Sequence, residues 1–111
     1  MVSKYVMLRA EEVASLLSIL GNTKRLLIVC LLVEGEMSVN RIAERVDLSQ
    51  SALSQHLAKL REQGLVKTRR EKQTIYYSLD SALGRDFLAS LESLFTAHAP
   101  EDNGRKAANA A

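Results

Sequence analysis

From Ser49 to Gly64 the chain reads SQSALSQHLAKLREQG, and its side chains separate by chemistry at the period of a helix. At about 100° per residue, Leu53, Leu57 and Leu60 fall on one face. Ser51, Gln55 and Lys59 fall on the opposite face, with Ser54 beside them. The apolar face demands burial against a core. The other carries hydroxyls and amides at its N-terminal end, where a solvated helix usually carries Glu and Lys. Such groups both donate and accept hydrogen bonds, which suits base edges and phosphate oxygens. The free N–H groups of a helix N-terminus add a preference for anions. An ordinary amphipathic helix shows the same leucine spacing, so the next segment decides. Between Lys59 and Lys72 lie six basic residues (Lys59, Arg61, Lys67, Arg69, Arg70, Lys72) and two acidic ones (Glu62, Glu71), on a chain of formal net charge +2. A concentrated basic patch on a near-neutral protein is the electrostatic footprint of a nucleic-acid binder.

The elements that must position these groups follow from periodicity and caps. Val13, Leu16, Leu17 and Leu20 recur at helical spacing until Gly21-Asn22 breaks the pattern. Asn22 or Thr23 caps a second helix through the run Leu26–Val33, which is apolar all round and is therefore expected to be buried on every side. Cys30 lies inside that run as a packing residue. Met37-Ser38-Val39 suits a short strand, and Ser38 also suits the N-cap of a helix over Val39–Val46 whose inner stripe is Val39, Ile42, Ala43 and Val46. Asp47-Leu48-Ser49 makes a tight turn, and Ser49 caps the Ser49–Gly64 helix. A short helix, a three-residue turn and a second helix is the helix-turn-helix pattern, here without the glycine often found in its turn. Gly64 ends that helix.

Leu65–Arg70 and Thr74–Leu79 read as two strands, with Ile75, Tyr77 and Leu79 on one face and Tyr76 and Ser78 on the other. The loop Glu71-Lys72-Gln73 has no glycine, which argues against a tight primed turn. This hairpin is a wing whose outer face and tip carry Lys67, Arg69, Arg70 and Lys72 for phosphate contact. Asp80 or Ser81 caps a last helix with apolar positions Leu83, Phe87, Leu88, Leu91, Leu94 and Phe95. The stripe is wide for the end of a small domain. Together with the first helix it predicts a dimer interface of Val13, Leu16, Leu17, Leu20, Phe87, Leu88, Leu91, Leu94 and Phe95. Pro100 stops the helix.

The predicted fold is mainly α with a small β-hairpin wing, a homodimeric winged helix-turn-helix. Its expected organisation is a lead-in over 1–9, one DNA-binding and dimerisation domain over 10–99, and a disordered tail over 100–111. No run approaches about 18 apolar residues, so no membrane span is expected. The N-terminal stretch shows no apolar run followed by a small-residue cleavage site, so no export is expected, and the single cysteine excludes an intrachain disulfide; both fit a reducing cytoplasm. There is no glycine-rich phosphate loop, nucleophile elbow or paired histidines, so an enzyme is not expected. The serious alternative is a dimeric interaction module that does not bind DNA.

With these elements in order, the chain resembles the ArsR/SmtB family of bacterial winged-helix repressors. Lys24-Arg25-Leu26, SQSALSQHLAKLREQGLV (49–66) and TRREKQTIYYSL (68–79) carry the resemblance. Within the family it is most like the branch of biofilm-growth, haemolysin and nodulation regulators. The resemblance implies a cytoplasmic, nucleoid-associated homodimer on a palindromic double-stranded operator, acting as a repressor or displacing another regulator. The resemblance implies that Gln50, Ser51, Ser54 and Gln55 contact bases or nearby phosphates and that Arg69, Arg70 and Gln73 lie along or at the tip of the wing; with Ser49, Lys59, Lys67 and Lys72 these make up the expected DNA-binding set. No cofactor is implied. The family's metal sensors carry a cysteine pair where this chain has Val39-Asn40-Arg41. Asp86, His98 and Glu101 only partly echo a second kind of metal site, with Leu88 where another histidine is needed. Metal-independent binding is therefore expected, with His98 a surface residue and His56 structural, bonding a neighbouring backbone. Sulfur-sensing relatives pair two cysteines. Cys30 matches the first, but the second position falls at Ala97-His98-Ala99, which leaves thiol sensing through Cys30 alone as the alternative mode.

Overall fold

Five of the six described helices begin on a side chain that closes their own first turn. Ser3, Asn22, Ser38, Ser49 and Ser81 each accept a hydrogen bond from a backbone N–H two or three residues on, at 3.0–3.2 Å. The structure, a computed structural model, describes residues 3–100. The helices are α1 (Lys4–Leu8), α2 (Ala10–Leu20), α3 (Thr23–Val33), α4 (Val39–Val46), α5 (Gln50–Glu62) and α6 (Ala82–Ala97); β1 (Met37–Ser38) precedes α4, and β2 (Val66–Glu71) and β3 (Thr74–Leu79) follow α5. The expected lead-in thus contains a helical turn, α1. The last helix ends three residues before Pro100. Most of the expected tail, including Glu101, lies outside the described residues.

The C-termini of α4 and α5 share one geometry. At Gly64, φ is +72, the Gly64 N–H donates to the Arg61 carbonyl and the Leu65 N–H to that of Leu60. This is a Schellman ending. Asp47 repeats it at φ +57, with Asp47 N–H bonded to the Glu44 carbonyl and Leu48 N–H to that of Ala43. The helix-turn-helix needs no glycine because an aspartate occupies the left-handed position, one of the few side chains that does so at low cost.

The three strands form one antiparallel sheet in the order β1-β3-β2. Pairing runs from Val66↔Leu79 to Glu71↔Thr74, which leaves only Lys72 and Gln73 in the turn. The expectation of a longer loop is corrected: Lys72 takes φ +59 in place of a glycine. Register also corrects the wing's faces. Arg69 pairs with Tyr76, and Lys67 with Ser78 on the outer face. Arg70 pairs with Ile75, so it shares the face of Tyr77 and Leu79, at the end where the hairpin runs past the core.

The core joins α3, α4, α5 and the sheet, with Ile28, Leu32, Ile42, Leu53 and Leu60 sealed from solvent. The expectation that Leu26–Val33 is buried on every side does not hold. Ile28, Val29 and Leu32 face the core, whereas Leu27, Cys30 and Val33 are exposed. Among the described residues, one stripe of α3 is sealed in the protomer's core and the opposite side stays open to solvent, and hydropathy alone does not reveal how many stripes are covered. Cys30 is accordingly not a core packing residue.

Candidate nucleic-acid interface

The reading face is built by anchoring its reverse. Leu53, Leu57 and Leu60 are buried at 0–3% exposure, and this turns Ser51, Ser54, Gln55 and Lys59 to solvent. Gln50 and the cap Ser49 are exposed at the same end. Ser49 already accepts from the Ala52 N–H at 3.2 Å, so its hydroxyl proton and one lone pair are left for a ligand. Gln50 Nε2 donates to Oδ1 of Asn40, in the first turn of α4. This bond leaves Gln50 Oε1 and Asn40 Nδ2 unused on two exposed side chains at the N-terminal ends of the two helices. Asn40 was not singled out in the sequence, because its partner is ten residues away across a turn.

Two basic residues at the start of α3 hold this unit in place. Lys24 Nζ donates to the Val46 carbonyl at the α4 C-terminus, where a helix favours cations. Arg25 Nε donates to the Ile19 carbonyl at 2.7 Å, and its Nη1 lies 3.4 Å from Nδ1 of His56. Arg25 therefore ties the end of α2 to the recognition helix. His56 bonds this side chain rather than a neighbouring backbone.

Desolvation lowers the His56 pKa, and the nearby Arg25, Lys24 and Lys59 charges lower it further. The native state then binds the proton less well than the unfolded chain, so stability is complete above the free histidine value of about 6.5 and falls as pH drops below it. Melting curves between neutral and mildly acidic pH should show this loss. In His56→Gln the slope over that window should flatten; an unchanged slope would assign the effect to other groups.

The wing contributes a mixed set. Arg70, Lys72 and Gln73 are exposed at the far end of the hairpin from the core, and neither Arg70 nor Lys72 has an ion-pair partner among the described residues. Lys67 lies 3.8 Å from Asp80, a loose pair. Arg69 differs: Nε and Nη2 meet both carboxylate oxygens of Glu36 at 3.0 and 2.7 Å, and Nη1 meets Glu71 at 2.9 Å. Its guanidinium also lies 4.6 Å over the Tyr76 ring. Arg69 is therefore engaged within the protein and is not a free phosphate ligand.

A second surface lies between α3 and α6. A groove of about 680 Å³ there is lined by Leu26, Cys30, Val33, Leu88, Leu91 and Phe95, with Arg85 and Glu92 among its polar members. Desolvation and the Glu92 charge push the Cys30 thiol up from its ordinary value, which disfavours the reactive thiolate. Of the expected interface residues, Leu20 is part of the protomer's own core, and Leu16, Phe87 and Leu88 pack against that core. Leu17, Leu94 and Phe95 stay exposed, joined by Leu83 and by Tyr5, Met7 and Leu8 of α1. Among the described residues, no three His, Cys, Asp or Glu side chains come together as a metal site. No single described helix is long and apolar enough to cross a membrane.

Comparison with known proteins agrees with this geometry. The model of the bacterial regulatory protein arsR family matches residues 22–68. The nodulation protein NolR of Rhizobium meliloti is 54% identical over 86 residues, 78% of this chain and 70% of that protein. The crystal structure of the transcriptional repressor BigR from Xylella fastidiosa superposes with a TM-score of 0.79 at 39% identity, over 91% of this chain and 100% of that one. A homodimeric winged helix-turn-helix DNA-binding domain from Mycobacterium bovis, solved in solution, gives 0.77 at 27% identity, over 93% and 95%. A reading helix held by buried leucines, a paired wing and relatives matched over most of their length have one explanation: the chain is a winged helix-turn-helix protein and belongs to the arsR family of bacterial regulatory proteins.

Proposed function

We propose that the protein represses transcription as a homodimer bound to a palindromic double-stranded operator. The observation that carries this reading is the row Gln50, Ser51, Ser54, Gln55 and Lys59, turned outward by a fully buried leucine face and accompanied by the exposed Arg70 and Lys72 of the wing. The M. bovis relative is homodimeric and the X. fastidiosa relative is a repressor; both properties are extended here to this chain. Two recognition helices about 34–36 Å apart would enter successive major grooves on one side of the duplex. Gln55 and the Asn40–Gln50 pair read base edges, whereas Arg70, Lys72 and Lys59 grip phosphates. Regulation of this kind places the protein in the cytoplasm, on the nucleoid.

Reading and gripping separate in one experiment on a selected operator and on random duplex. Gln55→Ala is expected to weaken the operator by about 1–3 kcal/mol and to relax base preference there. Arg70→Ala is expected to weaken both duplexes alike and to lower the slope of log affinity against log salt by about 1. Equal losses on both duplexes for both variants would overturn the division of roles. A wild type that ignores duplex DNA at low salt would instead support the interaction-module reading.

A further inference from the structure

Arg69 lies in β2, yet its side chain reaches over Tyr76 of the central strand to Glu36, the residue just before β1. The sheet order β1-β3-β2 makes this a strap across its full width, between residues 33 apart in sequence. On the far side, β1 runs directly into α4: Ser38 pairs with Tyr76 and also caps α4 through the Arg41 N–H. The strap therefore joins the wing to the first helix of the helix-turn-helix. Its fork-to-fork geometry fixes direction as well as distance, which a point-charge pair would not. Glu71 holds the remaining nitrogen at 2.9 Å, so all three guanidinium nitrogens donate to a carboxylate.

We propose that Glu36 is a positioning residue for DNA binding, which sets the wing's angle to the reading head through Arg69. The proposal rests on the DNA-binding reading above. It assigns a favourable role to an anionic side chain beside a DNA-binding surface, where charge alone would oppose binding. Glu36 also titrates below the ordinary carboxylate range because Arg69 hydrogen-bonds its ionised form, so the strap stays charged at neutral pH.

The test compares wild type, Glu36→Gln and Glu36→Asp on a fluorescently labelled mixed-sequence duplex at low salt. Removing a negative charge should strengthen binding if charge alone acts, and the Asp variant should then match wild type. If Glu36 positions the wing, both variants bind about fivefold more weakly, the scale of one well-formed surface pair. Asp keeps the charge but loses the reach for two-point contact. The Arg69 Nε–H resonance should also lose its shift and its protection from exchange in both variants. Melting temperatures near that of wild type confirm that each chain folds. Tighter or equal binding by Glu36→Gln, or wild-type binding by Glu36→Asp, overturns the proposal. Absence of binding by the wild type itself would instead defeat the DNA-binding reading.

Discussion

A chain carrying Leu94→Glu and Phe95→Glu is expected to sediment as a monomer and to lose its operator. Leu94 is 53% exposed and Phe95 74% exposed on the protomer, so neither substitution removes a side chain from the core that holds α6 in place. Large apolar groups at such exposure, on a helix that also exposes Leu83, form a surface that water does not favour. Each apolar side chain covered by a partner contributes about 1.5–3 kcal/mol. In a two-fold interface each substitution also enters twice. The dimer dissociation constant should therefore rise by at least about a thousandfold. The protomer should keep its helical circular dichroism, and operator affinity should fall because one reading head grips only half a site. Sedimentation of the variant as a dimer would move the interface to another surface, with the exposed apolar residues of α1 first in line.

Leu53→Ala should cost the domain about 3–5 kcal/mol, read as a lower urea midpoint at unchanged slope. Leu53 is fully enclosed at the point where the recognition helix meets the core. Truncation removes its transfer energy and leaves a void that the surrounding helices fill only in part. Gln55→Ala, two residues on, faces solvent and should shift stability by less than about 0.5 kcal/mol. The pair thus tests the division of α5 by face: one position controls folding and the other recognition. Similar urea midpoints for both variants would mean that the helix is not anchored as described.

What was legible in the sequence is what depends on neighbours three or four residues apart. The leucine spacing of α5, the serine caps and the end at Gly64 follow from local sterics and hydrogen bonding, and each stands where the residues indicated. What needs a distant partner was hidden. Arg69 read as a free cation because Glu36 is 33 residues away. Arg69 and Arg70 were grouped together on the outer face and tip, and only the register separates them: Arg69 is on the outer face with Tyr76, and Arg70 is on the opposite face with Ile75, beside the turn. The turn at Lys72 was read as long because glycine usually marks a tight one, whereas Lys72 adopts the positive φ itself. Cys30 sits in a run whose hydropathy was read correctly. How much of that run the protomer covers depends on where α6 packs, and no local pattern records it. For the recognition surface, the outward residues of α5 were legible as a set, while Asn40 emerged only when α4 and α5 were placed side by side.

The left-handed backbone at Asp47 also limits how this lineage can drift. Most side chains at φ +57 cost roughly 1–2 kcal/mol, while Gly, Asn and Asp fit cheaply. A small domain with a stability of about 5–15 kcal/mol gives up a sizeable part of its margin to one such change. The first symptom would be scarcity rather than a misread operator: a larger unfolded fraction exposed to proteases, and fewer molecules per cell. Asp47 touches no base in the reading proposed here, yet a substitution to valine or isoleucine there would resemble a regulatory mutation, through dosage alone.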